Sequence, residues 1–447
     1  MLEEYVYARY LRSLNERPIS RPPTPHDSTR MAALVRLNAL RVIAEAGVVH
    51  HHFYYYQAIR EGHDAGYTAG AEEVANDLMC FFFVLSGFVA MYSNRDRIPT
   101  TWDFMAKRLC KTFPLYLLTT FISFLSRVSM NSLPDTHMEK ICAYTEFFLL
   151  SAWLPCRITP QFNGAGWYIA TLYWLWLCFP RLQRFAYTPY AWGLACCVWI
   201  VSTGLFSVVW IDQWAWQLRE FPPLRLCEFF IGMLACSTVP RQVPTWVAWC
   251  SAVIILGYWV FTVAYLVRQP TAWAWQKSPE DISSVTDPNK TPFDTGPTHT
   301  TRAALMQGKF ALLWAVILQW VACSELHSQC DSWWVRWLGN TIFKLLSPFS
   351  LQLYLCHQEI HQVCESILRA CHWEDALQIH TYYLIAYTGS YMIFLWLQPV
   401  LDRMAVATGT GIRATFITCC KGAATLDTQP LPQTPRGDSP SNPMGAV

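Results

Sequence analysis

LNALRVIAEAGVVHHHF, residues Leu37–Phe53, is apolar along most of its length, yet it carries Arg41, Glu45 and three consecutive histidines, His50, His51 and His52. An α-helix advances about 1.5 Å per residue, so crossing hydrocarbon takes roughly 17–25 apolar residues. Ionisable groups at that depth are costly, and they face a cavity or a partner rather than lipid. At about 100° per residue, the eleven positions from Arg41 to His52 turn through three circles plus about 20°. These two side chains therefore share one face, about 16 Å apart along the axis, and Glu45 lies on it too. His50 and His51 point away from this stripe and read as polar matter at the water interface. Arg41 and Glu45 also fit a plain intrahelical ion pair at i, i+4.

The surrounding chain has the composition of a protein dissolved in lipid. Its 447 residues are 53% hydrophobic and only 14% charged, with 22 Trp and a balance of 33 Lys and Arg against 31 Asp and Glu. No basic run or zinc-finger spacing supports a nucleic-acid partner. Ten apolar windows stand out, at 34–53, 77–92, 112–129, 164–179, 190–210, 221–238, 245–267, 303–324, 340–357 and 382–401. An eleventh, 141–154, is too short to span and reads as a half-helix or interfacial segment. The expected fold is an all-α membrane protein of about ten transmembrane helices with that extra half-helix and both termini cytoplasmic. Cytoplasmic loops hold the excess of Lys and Arg, and this orientation puts twenty of the 33 inside and twelve on the far side, with Arg41 at depth. Counting 141–154 as a crossing would move Arg181 and Arg184 outside and spoil that pattern.

The expected organisation is a cytoplasmic segment over 1–33 with no signal-peptide core, a membrane domain over 34–403 and a cytoplasmic tail over 404–447, disordered from about 423. The Pro-, Thr- and Asp-rich stretch from Arg268 to Arg302 reads as a surface loop or lid. The 17 cysteines lie mostly within apolar stretches and do not suggest a disulfide framework, although Cys364 and Cys371 flank a polar loop and could pair in an oxidising lumen.

Five further segments accompany the first helix: FFFVLSGFV (Phe81–Val89), FMAKRLCKTFPLY (Phe104–Tyr116), NGAGWYIATLYWLWLCFP (Asn163–Pro180), CEFFIGMLA (Cys227–Ala235) and SPFSLQLYLCHQ (Ser347–Gln358). With them, the chain resembles the acyltransferase 3 family of integral-membrane O-acyltransferases over about 34–403. The family's first-helix Arg and His, eleven apart, fall on Arg41 and His52. Its F-F-V-L-S-G-F falls on Phe82 to Phe88, its F-x-x-x-R-x-x-R-x-x-P-x-Y on Phe104, Arg108, Lys111, Pro114 and Tyr116, and its S-x-x-x-Y-L-x-H on Ser350, Tyr354 and His357. Departures are Asn38 for Asp, Lys111 for the second Arg, and Leu172 where many members carry Glu. Gln398 and Pro399 stand near the usual late Glu and Pro. A Lys keeps the charge but loses the planar fork of Arg, so Lys111 lacks a bidentate grip on phosphate or carboxylate.

The resemblance implies transfer of an acyl group from an acyl-CoA type donor to a hydroxyl of a carbohydrate, lipid or other small acceptor, in a multi-pass protein of the plasma membrane or an endomembrane, with no bound cofactor. Such a reaction needs a base for the hydroxyl proton, and imidazole suits that role near neutrality. His52 is the candidate base. Arg41 and Arg108 are the candidates for binding donor phosphates or countering developing charge. Lys111, Tyr116, Ser86, Trp167, Tyr354, His357 and Glu45 are substrate-binding candidates. Ser86 beside Gly87 equally fits close helix packing, Trp167 an interfacial belt, and Tyr116, Tyr354 and His357 structural hydrogen bonds. No metal is expected, since three adjacent histidines do not aim two imidazoles one way. Two other readings use the same residues: a proton-coupled or solute transporter with an intramembrane His, Arg and Glu relay, and an acyl-CoA-binding receptor of the same fold without catalysis.

Overall fold

Helix α1 (36–53) lies alongside a helix more than 300 residues later in the chain. The structure is a computed structural model that describes residues 36–53, 65–95, 97–129, 137–154, 162–208, 220–238, 243–268, 308–323, 337–370, 378–401 and 403. The N-terminal segment, the loop after Arg268, the C-terminal tail and the Cys364–Cys371 pairing lie outside the described residues or their side chains. The other helices are α2 (Ala65–Ser93), α3 (Thr101–Ser129), α4 (His137–Phe147), α5 (Gly166–Ala186), α6 (Ala191–Val208), α7 (Pro222–Ser237), α8 (Thr245–Arg268), α9 (Ala311–Cys323), α10 (Thr341–Leu346), α11 (Ser350–Ala370) and α12 (Gln378–Met392). Among the described residues there is no strand.

Among the described residues, four helical stretches are long and apolar enough to cross a membrane: Val74–Ser93, Thr101–Val128, Thr245–Ala264 and Tyr382–Leu401. The first is buried through most of its length and forms the centre of the bundle, whereas Thr245–Ala264 turns Val253, Ile254, Val260 and Phe261 outward. An outer surface of this kind suits a hydrocarbon solvent. In the middle, α2 and α7 meet backbone to backbone. A methyl on Gly87 would lie 1.8 Å from the carbonyl oxygen of Phe229, and one on Gly232 would lie 1.9 Å from that of Val84. Glycines at a helix crossing allow this approach because they have no Cβ. The FVLSGF and EFFIGM segments are therefore two halves of one contact.

The half-helix is an element that stops on purpose. After α4, Leu149 adopts φ 59°, and the N–H groups of Leu149 and Leu150 return to the carbonyls of Glu146 (3.0 Å) and Thr145 (3.0 Å). That pair of bonds is the Schellman termination, with leucine in the place usually taken by glycine. Helices α3 and α5, on either side of α4 in sequence, are antiparallel: Phe104 stacks on Phe179 at one end, and Asn163, just before α5, bonds Thr119 at the other. Cys142 on α4 is disulfide-bonded.

The window 340–357 is not one continuous helix. Ser347–Phe349 forms a 3-10 turn between α10 and α11, and α11 then runs on to Ala370. Pro348 lacks the N–H that an uninterrupted helix needs at that point, and it is well placed at a helix start instead. The candidate span 112–129 begins earlier than expected, at Thr101, so Arg108 and Lys111 lie on the helix itself.

Candidate active site

The break before α11 supplies the first contact. Arg41 donates from Nη2 to the carbonyl of Ser347 at 2.8 Å, and Glu45, 1% exposed, faces Arg41 and the Ser350 hydroxyl. A helix terminus leaves backbone groups without intrahelical partners, and in lipid these must be met by protein. Arg41 meets one of them here. Three turns further on, the Gln358 amide Nε2 lies 3.3 Å from each ring nitrogen of His52. Both contacts span the same 306 residues, so α1 and α11 run parallel and in register from the Arg41 level to the His52 level.

At the His52 level three imidazoles and an amide converge. The His52 ring centroid is 5.1 Å from those of His51 and His357. His357 is fully buried, and its Nδ1 donates to the carbonyls of Tyr354 (2.7 Å) and Leu353 (3.2 Å). Those carbonyls accept only, so neutral His357 carries its proton on Nδ1 and presents Nε2 as an acceptor. His51 is 9% exposed rather than interfacial, a correction to the sequence reading, while His50 is exposed and meets the Tyr383 hydroxyl. Val49, Phe53, Leu353, Tyr382 and Ala386 close this end with an apolar cluster from α1, α11 and α12.

The Arg41 end has a separate polar group. Ser86 and Tyr168 share a hydrogen bond of 2.8 Å, and the Tyr168 hydroxyl also reaches the Phe82 carbonyl at 3.3 Å. Arg41 and Arg108 both act electrostatically on this hydroxyl. Arg108 lies over the rings of Phe104 (5.3 Å) and Trp176 (5.8 Å), a cation–π arrangement that holds a guanidinium without neutralising it. Tyr354 joins the two ends, with ring centroids 5.3 Å from Tyr168 and 6.0 Å from His357.

Other candidates stand apart. Lys111 is exposed on α3. Trp167 packs against Phe83, and the Arg225 guanidinium lies over both rings while pairing with Glu228 at 2.6 Å. Tyr116 is fully buried and donates to the Glu146 carbonyl at 2.7 Å, which ties α3 to α4. Leu172 is buried among apolar residues. Gln398 accepts from Gln352 at 2.9 Å, just beyond a π-helical turn at Ile393–Leu397.

Comparison with known proteins adds what geometry leaves open. Residues 34–397 match the family model described as an acyltransferase domain, that of acyltransferase 3. The chain belongs to the acyltransferase 3 family. It is 26% identical over 214 residues to Acyltransferase MdmB of Streptomyces mycarofaciens, an alignment covering 42% of this chain and 51% of that protein. The chain thus spans about half the length of this curated relative. No solved structure matches the chain.

Sequence reasoning within this acyltransferase 3 chain missed Tyr168, Gln358, Glu146 and Asn163. Glu146 on α4 accepts backbone N–H bonds from Phe162 (3.0 Å) and Asn163 (3.2 Å). Burial pushes its carboxyl up to about 8, against the backbone donors, which favour the ionised form. A Glu within the apolar stretch 141–154 was the signal that could have drawn attention to it.

Proposed function

We propose that this chain is an integral-membrane O-acyltransferase that moves an acyl group from an acyl-CoA type donor to a hydroxyl of a carbohydrate, lipid or other small acceptor. The observation that carries this reading, given the family, is the parallel α1–α11 pair, which sets His52 beside His357 and Gln358 at one end and Arg41 at the other. In the proposed step His52 takes the acceptor's hydroxyl proton as the oxygen attacks the thioester carbon. The C–O bond forms, the C–S bond breaks, and the proton returns from the imidazolium to the leaving thiolate.

Eleven helical positions separate Arg41 from His52, about 16 Å, so one reacting carbon does not touch both. The arginine end, with Arg108, Tyr168 and Ser86, suits the anionic part of the donor, and the histidine end suits the thioester and acceptor. An extended pantetheine arm joins two such subsites. A bundle of ten crossings with both termini in the cytoplasm fits the directions of the packed helices. That orientation opens the arginine end to the cytoplasm and the histidine end to the opposite side.

The test is release of the CoA thiol from short- and medium-chain acyl-CoA by purified protein, with and without hydroxyl acceptors. His52→Ala is expected to reduce transfer about a hundredfold or more. Transfer at the unmutated rate would remove His52 from the mechanism. Acyl-CoA binding without turnover in unmutated protein would favour the receptor reading instead.

A further inference from the structure

The amide beside His52 does not stand alone. Gln358 is 6% exposed, and its Oε1 lies so close to Gly164 that a methyl group built there would be 2.3 Å away, with the Gln358 Cδ at 3.3 Å. Gly164 belongs to the loop 162–165, which is fixed from three directions. Glu146 holds the N–H groups of Phe162 and Asn163, the Asn163 amide donates to Thr119 Oγ1 at 2.7 Å, and Asn163 Oδ1 accepts the Ala165 N–H at 3.2 Å. Behind it, Tyr116 ties Glu146 to α3. A rigid loop thus presents a bare Cα to the amide, and the amide presents its N–H to the imidazole.

We propose that Gln358 is a positioning residue for the His52 imidazole, and that Gly164 on the loop pinned by Glu146 is the stop that sets where the Gln358 amide rests. This rests on the reading of His52 as the base and deepens it. The Gln358 amide donates to a ring nitrogen that would otherwise accept the substrate proton, so it holds the empty ring in place and withdraws when a hydroxyl arrives. Side chains that orient a reacting group tolerate little displacement, and an error of about 1 Å costs on the order of a hundredfold in rate. Only glycine leaves the Gln358 amide where it rests. The obstacle to a larger residue is the far end of a flexible side chain, so Gly164→Ala displaces the amide while the loop keeps its backbone bonds.

The experiment is a double-mutant cycle on the purified full chain: unmutated protein, Gly164→Ala, Gln358→Ala and the pair, each confirmed monodisperse. Two quantities are read. One is CoA release from acetyl-CoA and a medium-chain acyl-CoA, separated into kcat and donor KM. The other, independent of turnover, is the rate at which diethyl pyrocarbonate modifies His52, located by peptide mass spectrometry. Each single change is expected to lower kcat about tenfold or more, leave donor KM within about twofold, and raise His52 modification severalfold. The double variant should match Gln358→Ala in both readouts, since Gly164 acts only through that amide. Unchanged His52 reactivity in either single variant, or additive effects in the pair, overturns the proposal. Absence of CoA release from unmutated protein would sink the acyl-transfer reading, and the modification rates would still decide the positioning role.

Discussion

Arg41 ends on a protein carbonyl, and that contact changes what the side chain must be doing. By bonding Ser347 O and facing Glu45, it ties the start of α11 to α1, so a structural duty accompanies any role toward a donor. Leaving a buried carbonyl without its donor costs about 1–3 kcal/mol. Arg41→Ala should therefore lower the melting temperature as well as activity, and Arg41→Lys should recover part of the stability because a single ammonium reaches one acceptor. Unchanged melting of Arg41→Ala in detergent would show that the contact carries no load. The face shared by Arg41 and His52 was legible in the sequence, because it follows from helix geometry. Their partners were not: Gln358 lies 306 residues from His52, and Tyr168 lies 82 from Ser86, and no local pattern encodes which helix stands opposite.

Elements show the same division between local and distant causes. The window 382–401 coincides with an apolar helix of those bounds, and 141–154 covers the end of a short helix that begins at His137 and terminates at Phe147, since both depend on length and composition alone. The break at Ser347–Phe349 was readable only from Pro348, and apolar content masked it. The reason for Gly87 and Gly232 was ambiguous until α2 and α7 were seen to touch. A methyl at either site would enter a backbone carbonyl, and neither helix can yield without opening the crossing. Overpacking of this sort costs about 1–3 kcal/mol or more. Gly87→Ala and Gly232→Ala are each expected to reduce the yield of monodisperse protein on size-exclusion in detergent. Gly257→Ala is the control, since nothing lies within 4 Å of that position and it should behave as unmutated. Equal profiles for all three would mean that the two helices do not meet as described.

At the scale of the molecule, helix directions bear on how the chain is threaded. Antiparallel α3 and α5 require an odd number of reversals between them, and the single reversal available is the one made without α4 crossing. Parallel α1 and α11 require an odd number of crossings between them, and the seven apolar windows expected there have that parity. A disulfide at Cys142 belongs on the oxidising side of a membrane, the side that charge asymmetry independently assigns to α4. These arguments predict that exposed His137 and Tyr190 lie on opposite faces. In intact cells or sealed vesicles of known orientation, a membrane-impermeant maleimide should label His137→Cys from the non-cytoplasmic face. Tyr190→Cys should react only after permeabilisation, with the label located by peptide mass spectrometry in both cases. Labelling of both from one face would make α4 a crossing and place Arg181 and Arg184 outside. The relation between the arginine and histidine ends would survive, because it is internal to the α1–α11 pair. What would fall is the assignment of donor entry to the cytoplasm, since that depends wholly on which way this pair points through the bilayer.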